Sequence, residues 1–318
     1  MEKEKISVII PAYNSETTIE RCVLSIAGGG YQNIEIIVVN NGSTDLTREL
    51  VEKLACEDER IVLITQNNQG PAGSRDTGLK NATGEYIAWC DSDDWYEPDC
   101  LETLYRYLKE YNADISVCRS QIPGKSVEYD SRIIQCWNRD EAIDVFLEHK
   151  LLNGVLWNKL IKKELFDNID FEKSLWYWED LQVVWKVLKR AKKVVRFNQA
   201  KYNLYVHPES MCAKAYTEKR AYASLKVWNE IVEDCMKPEF CNHLEKAKIR
   251  RYVWLFGELR LMLKDGYKKD EDIKAIQKIM RDTGLCGLKS IHGIYRIYAL
   301  ITMWNISAAS AVWKIASR

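Results

Sequence analysis

Short β-branched runs recur along the first 118 residues, each followed by a longer stretch with helical spacing, and this alternation constrains the fold more than any other feature. Strands are expected over 6–10, 34–39, 60–65, 85–90 and 114–118, with helices over 16–27, 46–56, 72–81 and 98–111 between them. Ser43 or Thr44 is placed to cap the second helix, and Pro71 stands near the start of the third. A β-α repeat of this kind builds a mainly parallel sheet covered by helices on both faces, an α/β architecture. Such sheets bind ligands beyond the carboxyl ends of their strands, so the loops that follow the strands are where function is to be sought.

Beyond residue 120 the signals are mixed. Helices are expected over 139–150 and 179–190, and the runs 194–197 and 201–206 look strand-like. From about residue 216 the chain reads almost wholly helical, broken by Pro238. The division expected is an α/β domain over 1–212 and a helical C-terminal extension over 213–318.

Composition narrows the class. Lys plus Arg equals Asp plus Glu at 46 each in 318 residues, which argues against a protein that coats nucleic acid. With 47% hydrophobic and 29% charged residues the chain has the balance of a soluble globule. Its ten cysteines are scattered without a C-x-x-C pair, and the start MEKEKISVII has no charged-then-apolar leader, so reduced thiols in a cytoplasmic protein are expected. Cys235, Cys241 and His243 fit no common zinc spacing.

Three polar, turn-prone loops follow strands at the same sheet edge: Pro11-Ala12-Tyr13-Asn14-Ser15, Asn40-Asn41-Gly42-Ser43-Thr44-Asp45 and Asp91-Ser92-Asp93-Asp94-Trp95. One such loop is explained by helix capping; three together point to a ligand. The cluster Asp91, Asp93 and Asp94 carries most information. Three carboxylates within four residues repel unless solvent, protons or a cation relieve them, and Mg2+ or Mn2+ does so while keeping positions open for phosphate oxygens. An acidic cap on the helix near Pro98 accounts for one of these carboxylates better than for three.

The segments ISVIIPAYN, EIIVVNNGSTD, NQGPAGSRDTGLKNATGEYIAWCDSDDW and the later WED resemble, in order and spacing, the family 2 glycosyltransferases of GT-A fold, Rossmann-like enzymes of bacterial polysaccharide assembly. The resemblance covers about the first 180 residues. It implies a nucleotide-diphosphate sugar donor, a divalent metal at a D-x-D element, inversion at the sugar, and a carboxylate base acting on a glycan or lipid-linked glycan acceptor.

Matched position by position, Pro11 and Tyr13 line the base and ribose pocket, and Asn41 stands where the family has the second aspartate of D-D-G-S, which contacts the base. An amide there can still meet a uracil edge, so a UDP-sugar is the donor expected. Arg75 matches the motif arginine near the nucleotide, and Asp76 stands where the family more often has Asn. Asp91 and Asp93 match D-x-D, with Asp93 and its neighbour Asp94 as candidate metal ligands. Asp180 is the expected base and Glu179 the fallback, against the reading that both cap a helix. Trp176 and Trp178, two apart, would point the same way from an extended segment and form an acceptor platform, or else anchor the loop in the core. Lys159, in a W-x-K-L element, meets a phosphate or lies in solvent, and His207 closes over the diphosphate or is structural.

Two local charge asymmetries remain. Residues 186–201 carry seven bases and no acid, and no acidic residue follows Asp282. Between Arg296 and Lys314 lie seventeen uncharged residues, short for a bilayer span; they suit a helix in an anionic membrane interface, peripheral on the inner face of the cell membrane, or one packed on the protein. A nucleotide-binding or membrane-scaffold protein with a lapsed active site is the alternative to an enzyme, motivated by Asn40-Asn41 and this tail.

Overall fold

A computed structural model of the chain describes residues 3–125, 129–206, 215–306 and 308–309. It falls into two compact units, Met1–Ile143 with Leu152–Pro208, and Asp144–Leu151 with Glu209–Arg318.

The first unit is organised by one sheet. Strands β1 (Ile6–Ala12), β2 (Ile34–Asn40), β3 (Ile61–Thr65) and β4 (Tyr86–Trp89) are parallel, in the order β3-β2-β1-β4. The sheet continues through strands that the alternation in the sequence did not signal. They are β5 (Trp95–Tyr96), β7 (Ile134–Asn138) and β8 (Lys159–Lys162), alongside β6 (Ile115–Gln121) and β9 (Lys193–Asn203). β8 runs antiparallel between β4 and β6, and β9 is parallel to β6. The two strand-like runs 194–197 and 201–206 are largely one long strand, because β9 bridges them with a register shift against β6.

Strand alternation explains why helices cover both faces. Ile6, Val8 and Ile10 of β1 pack with Ile36 and Val38 of β2 against α1 (Ile19–Ala27), α2 (Thr47–Glu57) and α4 (Cys100–Glu110), where Cys22, Ile26, Val51, Leu104 and Leu108 are buried. Ile9 and Val39 point to the other face, toward α3 (Gly70–Asn81). Gly78 lets that helix come close, since a Cβ there would lie 2.3 Å from Ile9 Cγ2. Each buried aliphatic side chain contributes roughly 1.5–3 kcal/mol, so strands apolar on both faces fix the sheet order firmly. The second helix is not capped by Ser43 or Thr44. Ser43 Oγ instead accepts from Asn14 N, and Asp45 Oδ1 accepts from Thr47 N at the helix start. The last helices of this unit are α5 (Arg139–Glu148), which runs into the second unit, and α6 (Glu179–Leu188).

In the second unit α7 (Glu218–Asp234), α8 (Leu244–Lys264), α9 (Asp270–Lys289) and α10 (Ile294–Trp304) share an apolar core that includes Leu255, Leu259, Ile276, Met280 and Tyr298. Arg220 and Glu258 form a buried two-bonded pair within it, both bonds 3.0 Å. His243 is engaged with Asp144 at 2.7 Å, and no metal-binding group of His, Cys, Asp and Glu forms among the described residues. No helix among the described residues is long and apolar enough to cross a membrane. On α10, Tyr298, Ala299, Thr302 and Met303 are buried, whereas Ile297, Leu300 and Trp304 are 63%, 45% and 70% exposed. Trp313, Lys314 and Arg318 lie outside the described residues.

Candidate active site

The carboxyl ends of β1, β2 and β4 deliver the three polar loops to one edge, where side chains lace them together. Asn14 takes a left-handed conformation (φ 49°), which turns its side chain to accept from Thr44 N at 2.9 Å while its own N–H donates to Ser43 Oγ at 3.0 Å. Ser15 N–H donates to Thr47 Oγ1, and the Ser15 and Ser92 hydroxyls share a hydrogen bond of 2.7 Å. Tyr13 is half exposed above this edge, and Pro11 is partly buried beside it.

Arg75, on the second turn of α3, is the centre of the charge arrangement. Its Nη2 donates to Asp91 Oδ1 at 2.8 Å and its Nη1 to Glu179 Oε1, so a single guanidinium bridges the loop after β4 and the start of α6. It does not pair with Asp76, which instead accepts from Lys80 Nζ at 2.9 Å. Burial alone would pull the guanidinium down, but Glu179, Asp91 and Asp180 around it outweigh that and hold it firmly charged. Burial pushes Glu179 up, against the pull of Arg75. Asp180 is crowded by protein yet keeps part of its surface in solvent; burial first, and then the Glu179 charge, push its carboxyl up to about 7. Three acids surround one cation, and its two bonds go to Asp91 and Glu179, not to Asp180.

The Asp91–Asp94 turn is held from beneath by Tyr202 of β9. The Tyr202 hydroxyl accepts from Asp91 N at 3.1 Å and donates to Asp94 Oδ2 at 2.7 Å, while Tyr205 N donates to Asp94 Oδ1 at 2.7 Å. Asp94 is therefore buried with a protein donor on each oxygen, and burial together with Asp91 pushes it up to about 7. Asp91 and Asp93 keep partial exposure. Trp157 stacks on Tyr202 with ring centroids 4.5 Å apart, and Arg21 covers Trp95 at 4.0 Å while donating to the Asp93 carbonyl at 2.7 Å.

Asn41 is buried, and its amide is used four times. Oδ1 accepts from Gln66 Nε2 at 2.8 Å and Gln69 N at 3.0 Å; Nδ2 donates to Gly70 O at 3.1 Å and Asn68 Oδ1 at 3.3 Å.

With this geometry in place, comparison with known proteins identifies its family. The model of glycosyl transferase family 2 matches residues 7–170, more than half of the chain. The chain belongs to glycosyl transferase family 2. It is similar to Glycosyltransferase GlyA of Streptococcus pneumoniae serotype 4, 34% identical over 238 residues that cover 71% of this chain and 34% of GlyA; it thus spans about a third of that relative. Among solved structures it is similar to S. aureus TarS 1-349 in complex with UDP-GlcNAc, with a TM-score of 0.74 at 20% identity over 98% of this chain and 92% of that one. A second is the mannosyltransferase PcManGT from Pyrobaculum calidifontis in complex with GDP-Man and Mn2+, with a TM-score of 0.61 at 16% identity over 100% and 88%. These likenesses show a shared GT-A fold, helical C-terminal part included.

The family pattern located the strand-end loops and the Glu179-Asp180 pair, and the fold brings Arg75, Asp91, Glu179 and Asp180 into one cluster. Two expectations, the tryptophan platform and Lys159, meet different surroundings. Trp178 has a left-handed backbone (φ 63°), so Trp176 and Trp178 do not sit on an extended segment, and their two-residue spacing does not align them. Trp176 lies against Gly70, whose Cβ would come within 3.2 Å of its ring. Lys159 is neither in solvent nor open to a phosphate: it is 1% exposed, and Nζ donates to Val155 O at 2.6 Å, Asn158 Oδ1 at 2.8 Å and Asn153 Oδ1 at 3.3 Å. Burial pulls its ammonium down to about 7, while the nearby Asp180 charge opposes that. His207 lies outside the described residues. Family 2 motifs also do not point to Tyr202, whose only signal was its place in an aromatic, strand-like run.

Proposed function

We propose that this family 2 chain is an inverting glycosyltransferase that moves a sugar from a nucleotide-diphosphate donor, UDP-linked as the first expectation, to a glycan or lipid-linked glycan hydroxyl in cell-surface polysaccharide synthesis. The observation that carries this reading is the Arg75 bridge between Asp91 and Glu179 with Asp180 beside it, pushed up to about 7. A carboxylate titrating near neutrality is suited to take a proton from an acceptor hydroxyl, and Asp180 is assigned that role. Glu179, bound to Arg75, is better placed to hold the guanidinium than to shuttle protons. Tyr13 is exposed enough to stack on a base.

Asp93, with hard carboxylate oxygens and partial exposure, is proposed as the ligand for Mg2+ or Mn2+, with its neighbour Asp94, whose oxygens accept from Tyr202 and Tyr205, as the second candidate. Such an ion, when bound, supplies charge to stabilise a leaving diphosphate. TarS was solved with UDP-GlcNAc and PcManGT with GDP-Man and Mn2+, so both bases belong in the test. A thermal-shift panel of UDP- and GDP-linked sugars with and without Mn2+, followed by mass spectrometry for released UDP or GDP, checks the reading. A Mn2+-dependent shift with turnover supports it; a shift without any turnover supports the lapsed-site alternative.

The outer face of α10, with Ile297, Leu300 and Trp304 exposed and no acidic residue after Asp282, favours peripheral attachment to an anionic membrane on the cytoplasmic side. Flotation of the chain with vesicles of anionic lipid but not of neutral lipid, abolished by Trp304→Ser with Ile297→Ser, is the expected result. Equal flotation of the double variant removes this face from membrane binding.

A further inference from the structure

Where the family has an aspartate that contacts the base, this chain has an asparagine whose hydrogen-bonding capacity is fully engaged within the protein. Its orientation is set by partners that allow no exchange of roles: Gln69 N–H can only donate, and the Gly70 carbonyl can only accept. An aspartate would lose both donations, because its carboxylate would face the Gly70 carbonyl and Asn68 Oδ1 with no proton between them. The segment so held is not passive. Asn68 Oδ1 also takes Gly70 N–H at 2.9 Å, and Gly70 sits at φ +74° with its Cα face against the Trp176 ring. Gln69 Oε1 accepts from Lys173 Nζ at 2.8 Å, a second tie to the segment that leads into Glu179 and Asp180. From Gly70 the same helix runs on to Arg75.

We infer that Asn41 is a positioning residue, not a reader of the base: its amide sets the backbone of 66–70 and, through Gly70, seats Trp176 next to the Glu179-Asp180 pair. The inference rests on the proposed function only for what that pair does. Base selectivity then falls to groups other than side chain 41.

The test uses the full chain with Asn41→Ala, Asn41→Asp and Asn68→Ala, which removes the oxygen that Asn41 Nδ2 and Gly70 N–H share while leaving Asn41 in place, and keeps the question open if the Asn41 variants do not fold. Amide hydrogen exchange should quicken by about tenfold or more in peptides covering 66–70 and 172–178, and not in β1 or α8. In Asn41→Asp the effect should be large at pH 8 and shrink toward pH 5 after correction for intrinsic rates, because a protonated carboxyl regains one donor for Gly70 O. The ratio of UDP to GDP affinity, measured by calorimetry with the free nucleotides, should stay within about twofold of the parent. Unchanged exchange in both segments for all three variants, or a tenfold change in the UDP:GDP ratio, overturns the inference. If the parent binds neither nucleotide, the proposed function fails while the exchange result still decides the role of Asn41.

Discussion

Asp180→Asn separates stability from catalysis at a single atom pair. The parent carboxyl is pushed from 3.8 to about 7 by burial and by Glu179, so between those values the folded state holds more protons than the unfolded one. Stability therefore falls as pH rises through that window, is unaffected by this group below about pH 4, and is flat above about pH 7. The rise from 3.8 to about 7, at about 1.36 kcal/mol per tenfold change in proton affinity, gives an upper bound of about 4 kcal/mol lost once Asp180 is ionised. Solvent reaches part of the side chain, and Glu179 shares the interaction, so about 2 kcal/mol is the working figure. The neutral amide never incurs this cost. Equilibrium urea unfolding should find Asp180→Asn more stable than the parent by about 2 kcal/mol at pH 8, by less than half of that at pH 5, and by nothing at pH 4. Sugar transfer at pH 8 should fall by about a hundredfold or more. A variant no more stable than the parent at pH 8, or a gain that is the same at pH 5 and pH 8, refutes the electrostatic account; retained turnover refutes the assignment of the base.

Arg75→Lys replaces a planar, two-armed donor by a point charge that cannot reach both Asp91 and Glu179, so a loss of about 2–4 kcal/mol at pH 8 that narrows at pH 5 is expected from the same unfolding series. Tyr202→Phe removes the hydroxyl that joins Asp91 N to Asp94 Oδ2; thermal melting should register about 1–2 kcal/mol, and the shift produced by UDP with Mn2+ should shrink, whereas an unchanged shift would free the turn from Tyr202. In the helical unit, Arg220→Met strands the buried Glu258 carboxylate and should cost about 3–5 kcal/mol, most of it recovered when Glu258→Leu is added.

What could be read from the sequence was local. Runs such as ISVII and EIIVV are apolar on both faces, and that pattern alone implies a covered parallel sheet, so β1 to β4 and the helices between them fell where the alternation put them. The short strands β5 and β8 carry two and four residues, too few to show a period, and exist because the neighbouring strand edges need partners. In the site, Asp91, Glu179 and Asp180 were legible from their motifs, but their joining through Arg75 was not, because 104 residues separate the guanidinium from Glu179. Lys159 was expected at a phosphate or in solvent; its burial depends on carbonyl and amide oxygens from 153, 155 and 158 that no spacing rule foresees. The exposed face of α10 was likewise hidden, since an uncharged run does not say which of its sides the bundle covers.

The Asn40-Asn41 pair, read alone, suggests a site that has lost its acids, but its surroundings argue the other way. Mismatched buried polar groups cost free energy, so the match between one side chain and the next at this position is informative. Here both Asn41 donors face oxygens and both its acceptor positions face N–H groups, while the Asn40 side chain accepts from Ser43 N at 3.2 Å. The same edge keeps Asp180 in a state that weakens the fold at neutral pH, with Arg75 compensating its neighbours first. An amide that fits its loop at every position, next to a carboxylate held at a cost in stability, supports the proposed function over the lapsed-site alternative.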